Sequence, residues 1–475
     1  MTDPILWTAE DVAQATGGRV TGDWQASGVS IDSRSLEAGD LFIALKGPSF
    51  DGHDFAGKAI KAGAAAAMVH RRADGIDESD PLIIVDDTFA ALWRLGTAAR
   101  ERSRARLIAV TGSVGKTGTK EALRLCLEPQ GVTAASVGSF NNHWGVPLSL
   151  ARMDRDAVYG VFELGMNHAG EIRELTALVR PHVSIITNIE PAHLGNFDSI
   201  FGIADAKSEI FEGMDANGCA VLNRDNALFH HLRDKADALG LSRILTFGNH
   251  KEADARLIEA SLHATCSGVK AEIRGSELDY CIALPGSHWV MNSLAVLLAV
   301  GAAGADVPKA AAQLANLRPI KGRGERHDVE TPGGVFKLID DSYNANPTSM
   351  RAAFEVLGRS SLGEGGRRIA ILGDMLELGE QSVDMHAKLA GPLQENGIDL
   401  VFTCGPDMAA LHEALPAELR GLHGADSKAL AAEIGNAVRP GDSVLVKGSL
   451  GSRMALIVDA LLALGEPLAR AANGQ

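Results

Sequence analysis

The stretch TGSVGKT, Thr111 to Thr117, follows the apolar run Leu107-Ile108-Ala109-Val110 and precedes helix-compatible residues from Lys120 to Leu127. It reads as strand, glycine loop, helix. Such a loop aims several backbone N–H groups into one concavity at a helix N-terminus, which suits an anionic phosphate. In the GxxxxGK[ST] pattern the lysine reaches the β/γ-phosphates and the hydroxyl takes Mg²⁺. That assigns Gly112, Ser113, Val114, Gly115, Lys116 and Thr117 to a nucleotide cradle. The first glycine of the pattern is Val110 here. A plain glycine turn with a solvated lysine uses the same letters, and the flanking strand and helix favour the phosphate loop over it.

Around this loop the chain reads as α/β throughout. Strand patterns at Leu107–Thr111, Val158–Glu163, Val183–Ile189 and Cys219–Asn223 alternate with helical patterns at Glu171–Val179 and Ile200–Phe211. Strands separated by helices of about ten residues imply βαβ units and a mostly parallel sheet. The segment Glu252 to Leu284 is β-rich and reads as a lateral meander, and Ser293 to Gly304 as a buried helix. Upstream, Asp40 to Leu45 alternates as a strand after the turn Gly39-Asp40. His53 to Gly63 reads as a helix and Ala64 to Val69 as a strand. Downstream of LRPIKGRGERH, strands at Val335–Asp341, Arg368–Gly373, Asp399–Gly405 and Ser443–Val446 are separated by helices at Pro347–Gly358, Val383–Asn396 and Ala429–Val438. This is a second, Rossmann-like doubly wound unit. With 475 residues and about 150 per domain, three domains are expected: 1–86, 87–320 and 321–475.

Composition narrows the function classes. Hydrophobic content is 46% and charged content 22%, the balance of a soluble globular protein. A formal net charge of −15 disfavours nucleic acid as a partner, because a phosphate backbone demands a basic face. An anionic small substrate stays open, since local cations and a metal override the global sign. The five cysteines form no CxxC pair, which argues against a disulfide framework or structural zinc and for a reducing cytoplasm. The acidic N-terminus does not read as a signal peptide. No apolar run reaches the roughly 18 residues of a membrane span.

Three residues stand where a P-loop enzyme needs charge. Glu163 ends a buried strand in VFELGMN, at the end of a parallel strand where α/β ligands bind; it suits a Mg²⁺ ligand or a helix-capping acid. His193, in TNIEPAHLGNF, faces the same crevice or is a structural histidine. Lys207, in IADAKSEIF, lies near the apolar side of its helix. An ammonium there is costly unless it is paired, chemically altered or snorkelling outward.

TGSVGKT, ELGMNHAGEI, NIEPAH, ADAKSEIF, PGSHWVMNSLA and DDSYNANP occur in this order. Together they resemble the ATP-dependent Mur ligases of peptidoglycan synthesis, over nearly the full length. IDSRSLEAGDLFIALKGPSFDGHDF, SFNNHWGVPLSL and DDSYNANPTSM resemble the branch that adds D-alanyl-D-alanine to UDP-N-acetylmuramoyl-tripeptide, whose third residue is a diamino acid. The resemblance implies ATP and two Mg²⁺ as cofactors, these two substrates as partners, and a cytoplasmic monomer. It implies that Thr117, Glu163 and His193 are metal ligands and that Lys207 carries a CO₂-derived carbamate serving a second Mg²⁺. It places Asn292 on adenine, Arg323, Asp341 and Asn344 in a third domain closing on the nucleotide, Ser33 and Arg34 on the uridine nucleotide, and Asn141 and Asn142 near the reacting centre. Two departures stand out. His288-Trp289 replaces a frequent His-Asn, with Trp289 packing or stacking near the adenine. VKGSLGSRM, 446 to 454, matches only at its start, and Lys447 is set there as a dipeptide contact.

Overall fold

The strands form three sheet bodies and, near the start, a two-stranded antiparallel pair, Trp7–Thr8 with Gln25–Ala26. The computed structural model describes residues 4–72, 74–191 and 194–465. His193 lies outside the described residues.

The first body is a five-stranded sheet in the order Arg19–Thr21, Leu82–Ile84, Ala66–Val69, Asp40–Ile43, Gly28–Ser30. All its pairings are parallel except Arg19–Thr21 with Leu82–Ile84. The helix His53–Lys61 follows Asp40–Ile43.

The second body has nine strands in the order Ser276–Ile282, Ser267–Ile273, Ala255–Leu262, Arg243–Gly248, Cys219–Asn223, Val183–Ile186, Arg106–Thr111, Tyr159–Glu163, Thr133–Ala135. From Thr133–Ala135 to Arg243–Gly248 the pairings are parallel. The last three strands form an antiparallel meander at the edge. Period-2 alternation splits each strand between two cores: Leu107 and Ala109 enter one cluster, Ile108 and Val110 the other. The chain begins this sheet at Arg106–Thr111, crosses to the edge strand Thr133–Ala135, returns to Tyr159–Glu163 between the two, and continues at Val183–Ile186 on the other side of Arg106–Thr111. The loop Gly112–Gly115 thus leaves the sheet where strand order reverses, the place at which open α/β sheets bind ligands.

The third body has six strands in the order Glu325–Thr331, Gly334–Asp341, Ser443–Lys447, Arg368–Gly373, Leu400–Cys404, Arg420–Gly424. It is parallel apart from the opening hairpin. Helices cover both faces: Ala370 and Leu372 pack with Met350 and Phe354, while Ile369 and Ile371 pack with Leu430 and Ile457.

The helix read at Pro347–Gly358 is observed with those bounds. The helix read at Val383–Asn396 is two, Ser382–Ala387 and Ala390–Glu395. Pro392 explains the break: it has no N–H to give Lys388 four residues earlier, and its ring crowds that carbonyl. Strands absent from the sequence reading are Trp7–Thr8, Arg19–Thr21, Gln25–Ala26, Gly28–Ser30 and Leu82–Ile84 before residue 86, and Thr133–Ala135, Arg243–Gly248, Glu325–Thr331 and Arg420–Gly424 after it. Thr133–Ala135, Glu325–Thr331 and Arg420–Gly424 are sheet-edge strands with few buried side chains. ERHDVET buries only Val329, so its apolar alternation is nearly silent and cross-strand pairing with Gly334–Asp341 holds it. Among the described residues no helix is long and apolar enough to cross a membrane.

Candidate functional site

The loop after Arg106–Thr111 turns at Gly112 (φ 145°) and reaches the helix Lys116–Leu127 through Gly115 (φ 88°). Both lie in the region that favours glycine, and there is no room for more: a Cβ on Gly112 would sit 1.9 Å from Thr187 Oγ1. The turn is made two residues after Val110, which remains a fully buried strand residue; the missing first glycine is not needed at that point. The next strand end pins the loop. Asn188 accepts the Val114 N–H on its side-chain oxygen (3.0 Å) and the Ser113 N–H on its carbonyl (3.0 Å). The Thr187 hydroxyl donates to the Val114 carbonyl at 2.6 Å. Ser113 Oγ donates to the Glu190 carbonyl and accepts the Glu190 N–H, both at 2.9 Å. Lys116 Nζ curls back to the Gly112 carbonyl at 2.8 Å. Burial pushes the Lys116 ammonium down from its ordinary value and the Glu163 charge opposes that shift.

Glu163, at the end of Tyr159–Glu163, is 1% exposed. Asn141 Nδ2 donates to its Oε1 at 2.8 Å, while Oε2 is buried with no hydrogen-bond partner. A buried carboxylate oxygen left without a donor is costly. It borders the same cavity as the Thr117 hydroxyl. A hard cation between them satisfies both, so the donor set fits Mg²⁺.

That cavity, about 760 Å³, lies between the second and third bodies. It gathers Ser113, Val114, Gly115, Lys116, Thr117, Asn141, Glu163, Asn292, Arg323, Asp341 and Asn344. Asn292 stands on the helix Ser287–Ala302, and its Nδ2 would be 2.7 Å from a Cβ on Gly115. Trp289, one turn earlier, both packs and lines the cavity: its ring edge lies against Gly118, 2.6 Å from where a Cβ would be, and the ring rests on the core. Arg323 places its guanidinium 4.3 Å from the Tyr343 ring centroid, with Nη2 3.4 Å from Ser139 Oγ across the two bodies. Lys447 is 2% exposed and bonded to Asp341. It is a strut of this wall before it is anything else.

Lys207, on the helix Ile200–Ser208, is 1% exposed. Burial, and then the charge of Lys116, hold its amine well below the ordinary lysine range. It is not among the residues lining the cavity. Asn142 does not line this cavity. Its side-chain oxygen accepts the N–H groups of Trp144 (3.1 Å) and Gly145 (3.0 Å), and it borders a second cleft. Ser33 and Arg34 stand apart in the first body and line neither cavity. Arg34 is exposed and paired with Asp32, 2.6 Å from Nη2 to Oδ2.

Several cavity residues had no signal of their own in the sequence. Thr187, Asn188 and Glu190 lie inside the TNIEPAH stretch, yet their work is hydrogen bonding to a loop over 70 residues away. Thr348 Oγ1 reaches Glu190 Oε2 at 3.1 Å, a contact between the bodies. Arg326, from the KGRGERH linker, lines the cavity with Nη2 buried and without a hydrogen-bond partner.

Fold and site define a three-domain α/β P-loop protein whose cradle faces a second doubly wound sheet. Comparison with known proteins is more specific. The Mur ligase middle domain matches residues 110–300, the Mur ligase glutamate ligase domain 322–450, and the Mur ligase family catalytic domain 25–91. The UDP-N-acetylmuramoyl-tripeptide–D-alanyl-D-alanine ligase of Rickettsia prowazekii is 34% identical over 455 residues, 96% of this chain and 99% of that protein. A crystal structure of MurF from Acinetobacter baumannii superposes with TM-score 0.83 at 32% identity, covering 96% of this chain and 99% of that one. MurF from Thermotoga maritima in complex with ADP superposes with TM-score 0.75 at 27% identity, covering 92% and 98%. The chain belongs to the Mur ligase family.

Proposed function

We propose that this chain joins UDP-N-acetylmuramoyl-tripeptide to D-alanyl-D-alanine with the consumption of ATP, in peptidoglycan precursor synthesis. The observation that carries the reading is the single cavity in which the P-loop lysine, the half-satisfied Glu163 carboxylate and the third-body residues Arg323 and Asp341 converge. The full-length similarity to ligases of that name supports the choice of substrates.

A carboxylate is a poor electrophile, and amide formation in water is uphill. In the proposed reaction a carboxylate oxygen of the tripeptide attacks the γ-phosphorus of ATP and ADP leaves. The dipeptide amine then attacks the acyl carbon, phosphate leaves with the electron pair of the broken C–O bond, and the amine loses a proton. The first step crowds anions together. Lys116 and the N–H groups of Ser113 to Thr117 meet the phosphates with dipoles and charge already in place. Glu163 and Thr117 would hold Mg²⁺, which supplies further neutralisation of phosphate charge. Asn141 holds Glu163 in position by the hydrogen bond its side-chain amide donates. Asn292 lies beside the loop, where the nucleoside would extend. Asp341 and Asn344 approach from the third body, and Arg323, just after Gly322, is placed to close over the phosphates. Such closure keeps water from the acyl phosphate. Ser33 and Arg34 take the uridine nucleotide in the domain 1–86, remote from ATP. Lys207 is assigned a carbamate that adds a negative group for a second Mg²⁺, with His193 as a further ligand.

The test is incubation with ATP, Mg²⁺, UDP-N-acetylmuramoyl-tripeptide and D-alanyl-D-alanine, followed by mass spectrometry. The expected product is the pentapeptide, with ADP and phosphate released in equal amounts and only when both substrates are present. Slow ATP hydrolysis indifferent to the substrates would instead mark a nucleotide-switched binding protein.

A further inference from the structure

A second cleft of about 590 Å³ opens beside the nucleotide cavity. Its walls are aromatic and acidic. Phe89 and His143 meet edge to face at 5.8 Å, Phe89 and Trp93 at 6.3 Å, and Trp93 Nε1 donates to the His143 carbonyl at 3.0 Å, which holds the rings together. Glu171 and Glu174, one turn apart on the helix Glu171–Val179, line the same cleft. Glu171 is committed: it accepts the Asn167 N–H at 2.8 Å and pairs with His168 at 3.0 Å. Glu174 is not. Among the described residues its carboxylate has no hydrogen-bond or ion-pair partner. The neighbouring cation, Arg173, is turned to Glu212 and Glu209. Among the described residues neither lysine nor arginine lines the cleft.

Aromatic rings and a free carboxylate lining one cleft suit an organic cation, by attraction to the ring quadrupole and by charge. The position of the cleft says which cation. Gly165 borders both this cleft and the nucleotide cavity. A Cβ on Gly165 would lie 2.7 Å from Asn141 Cγ, and Asn141 holds Glu163. In the proposed reaction the carboxylate of the tripeptide's last residue is phosphorylated beside Glu163 and Lys116. The side chain of that residue leaves the adjacent carbon, so it starts from the edge at Gly165. We infer that the cleft binds the distal ammonium of the substrate's third, diamino residue, with Glu174 as its counter-charge and Phe89, Trp93 and His143 as its walls. The inference rests on the ligase reading above and adds the subsite that selects the amino acid.

The experiment compares two UDP-N-acetylmuramoyl-tripeptides, one ending in lysine and one in norleucine, which lacks only the distal amine. Both are assayed with the full-length protein at saturating ATP and D-alanyl-D-alanine. The wild-type protein should show a KM about three- to fivefold higher for the norleucine peptide, the scale of one cation contact at an exposed site. Glu174→Gln should raise the KM for the lysine peptide by a similar factor, leave the norleucine peptide unchanged, and leave kcat and the KM for ATP as they were. Glu174→Lys should prefer norleucine. Equal effects of Glu174→Gln on the two peptides, or none on either, would overturn the assignment. Failure of the wild-type protein to form product from either peptide would instead remove the ligase reading, and this subsite with it.

Discussion

The Lys447 ammonium lies 2.6 Å from Asp341 Oδ2 and 2.9 Å from the Asn344 carbonyl. The two charged residues end adjacent parallel strands in direct register. Burial pushes the Asp341 carboxyl up, and the Lys447 charge pulls it back down. The pair therefore fixes the wall of the nucleotide cavity from which Asp341 and Asn344 project. Lys447→Met removes the cation and strands the acid; breaking a buried pair from one side costs about 3–5 kcal/mol. Urea denaturation should show that loss, and Asp341→Asn in the same chain should recover part of it. A Lys447→Met protein as stable as wild type would mean that Asp341 draws its compensation from elsewhere.

Lys116→Ala should lower kcat by on the order of 10²–10³, the scale for one preorganised electrostatic contact. The loop itself should survive, because Thr187, Asn188 and Glu190 hold it independently of the lysine. Single-turnover measurement of ADP formation is the readout. Near-wild-type turnover would take the P-loop lysine out of the mechanism.

Arg34→Ala should raise the KM for the UDP-substrate and leave that for ATP nearly unchanged, since Arg34 lines neither cavity. Its guanidinium is 88% exposed and among the described residues its one ion pair is with Asp32, so thermal stability should barely move. A parallel rise in both KM values would contradict a separate uridine-nucleotide site.

Lys207 carries a sharper chemical test. Carbamate formation needs the neutral amine, and burial together with the nearby Lys116 lowers the pKa that controls it. Activity should therefore fall as pH drops through that lowered pKa, and should fall when CO₂ is stripped from the buffer. Lys207→Ala should be nearly inactive and partly rescued by a small carboxylic acid that enters the vacated space. Lys207→Arg, which keeps a cation, should be inactive. A functional Lys207→Arg protein, or indifference to bicarbonate at every pH, would return Lys207 to a purely structural role.

His288 gives a pH signature in stability. Burial pushes its imidazole from 6.5 down to about 4, and its Nδ1 is buried without a hydrogen-bond partner. Between those values the unfolded chain binds a proton that the folded one refuses. Stability should then fall as pH drops from 6.5 toward 4, by on the order of 3 kcal/mol at the lower end. His288→Gln should flatten that part of the curve in a thermal melt series. An unchanged slope would assign acid sensitivity to other groups.

Much of this architecture was legible residue by residue. Leu107 to Val110 are apolar on both faces because the strand is covered on both, and TGSVGKT follows because only small residues and glycine let a backbone turn there toward an anion. Pro347–Gly358 was legible because Asn346 and Pro347 mark a helix start. The edge strand Glu325–Thr331 was not, since its pairing energy comes from a neighbour and its side chains face water. Nor was the break at Lys388, for which Pro392 was the unused signal.

The sequence by itself determined the α/β class, the phosphate loop and the family, because these depend on periodicity and on residue types at short, fixed spacings. Only the tertiary structure decided that Glu163 has one oxygen satisfied by Asn141 and one left over, and that Lys447 braces Asp341. It also decided that Asn188 pins a loop some seventy positions away and that Glu174 shares a cleft with Phe89, Trp93 and His143. Each of these is a contact between segments far apart in the chain. Such contacts are set by how sheets and helices pack, and no local spacing encodes them.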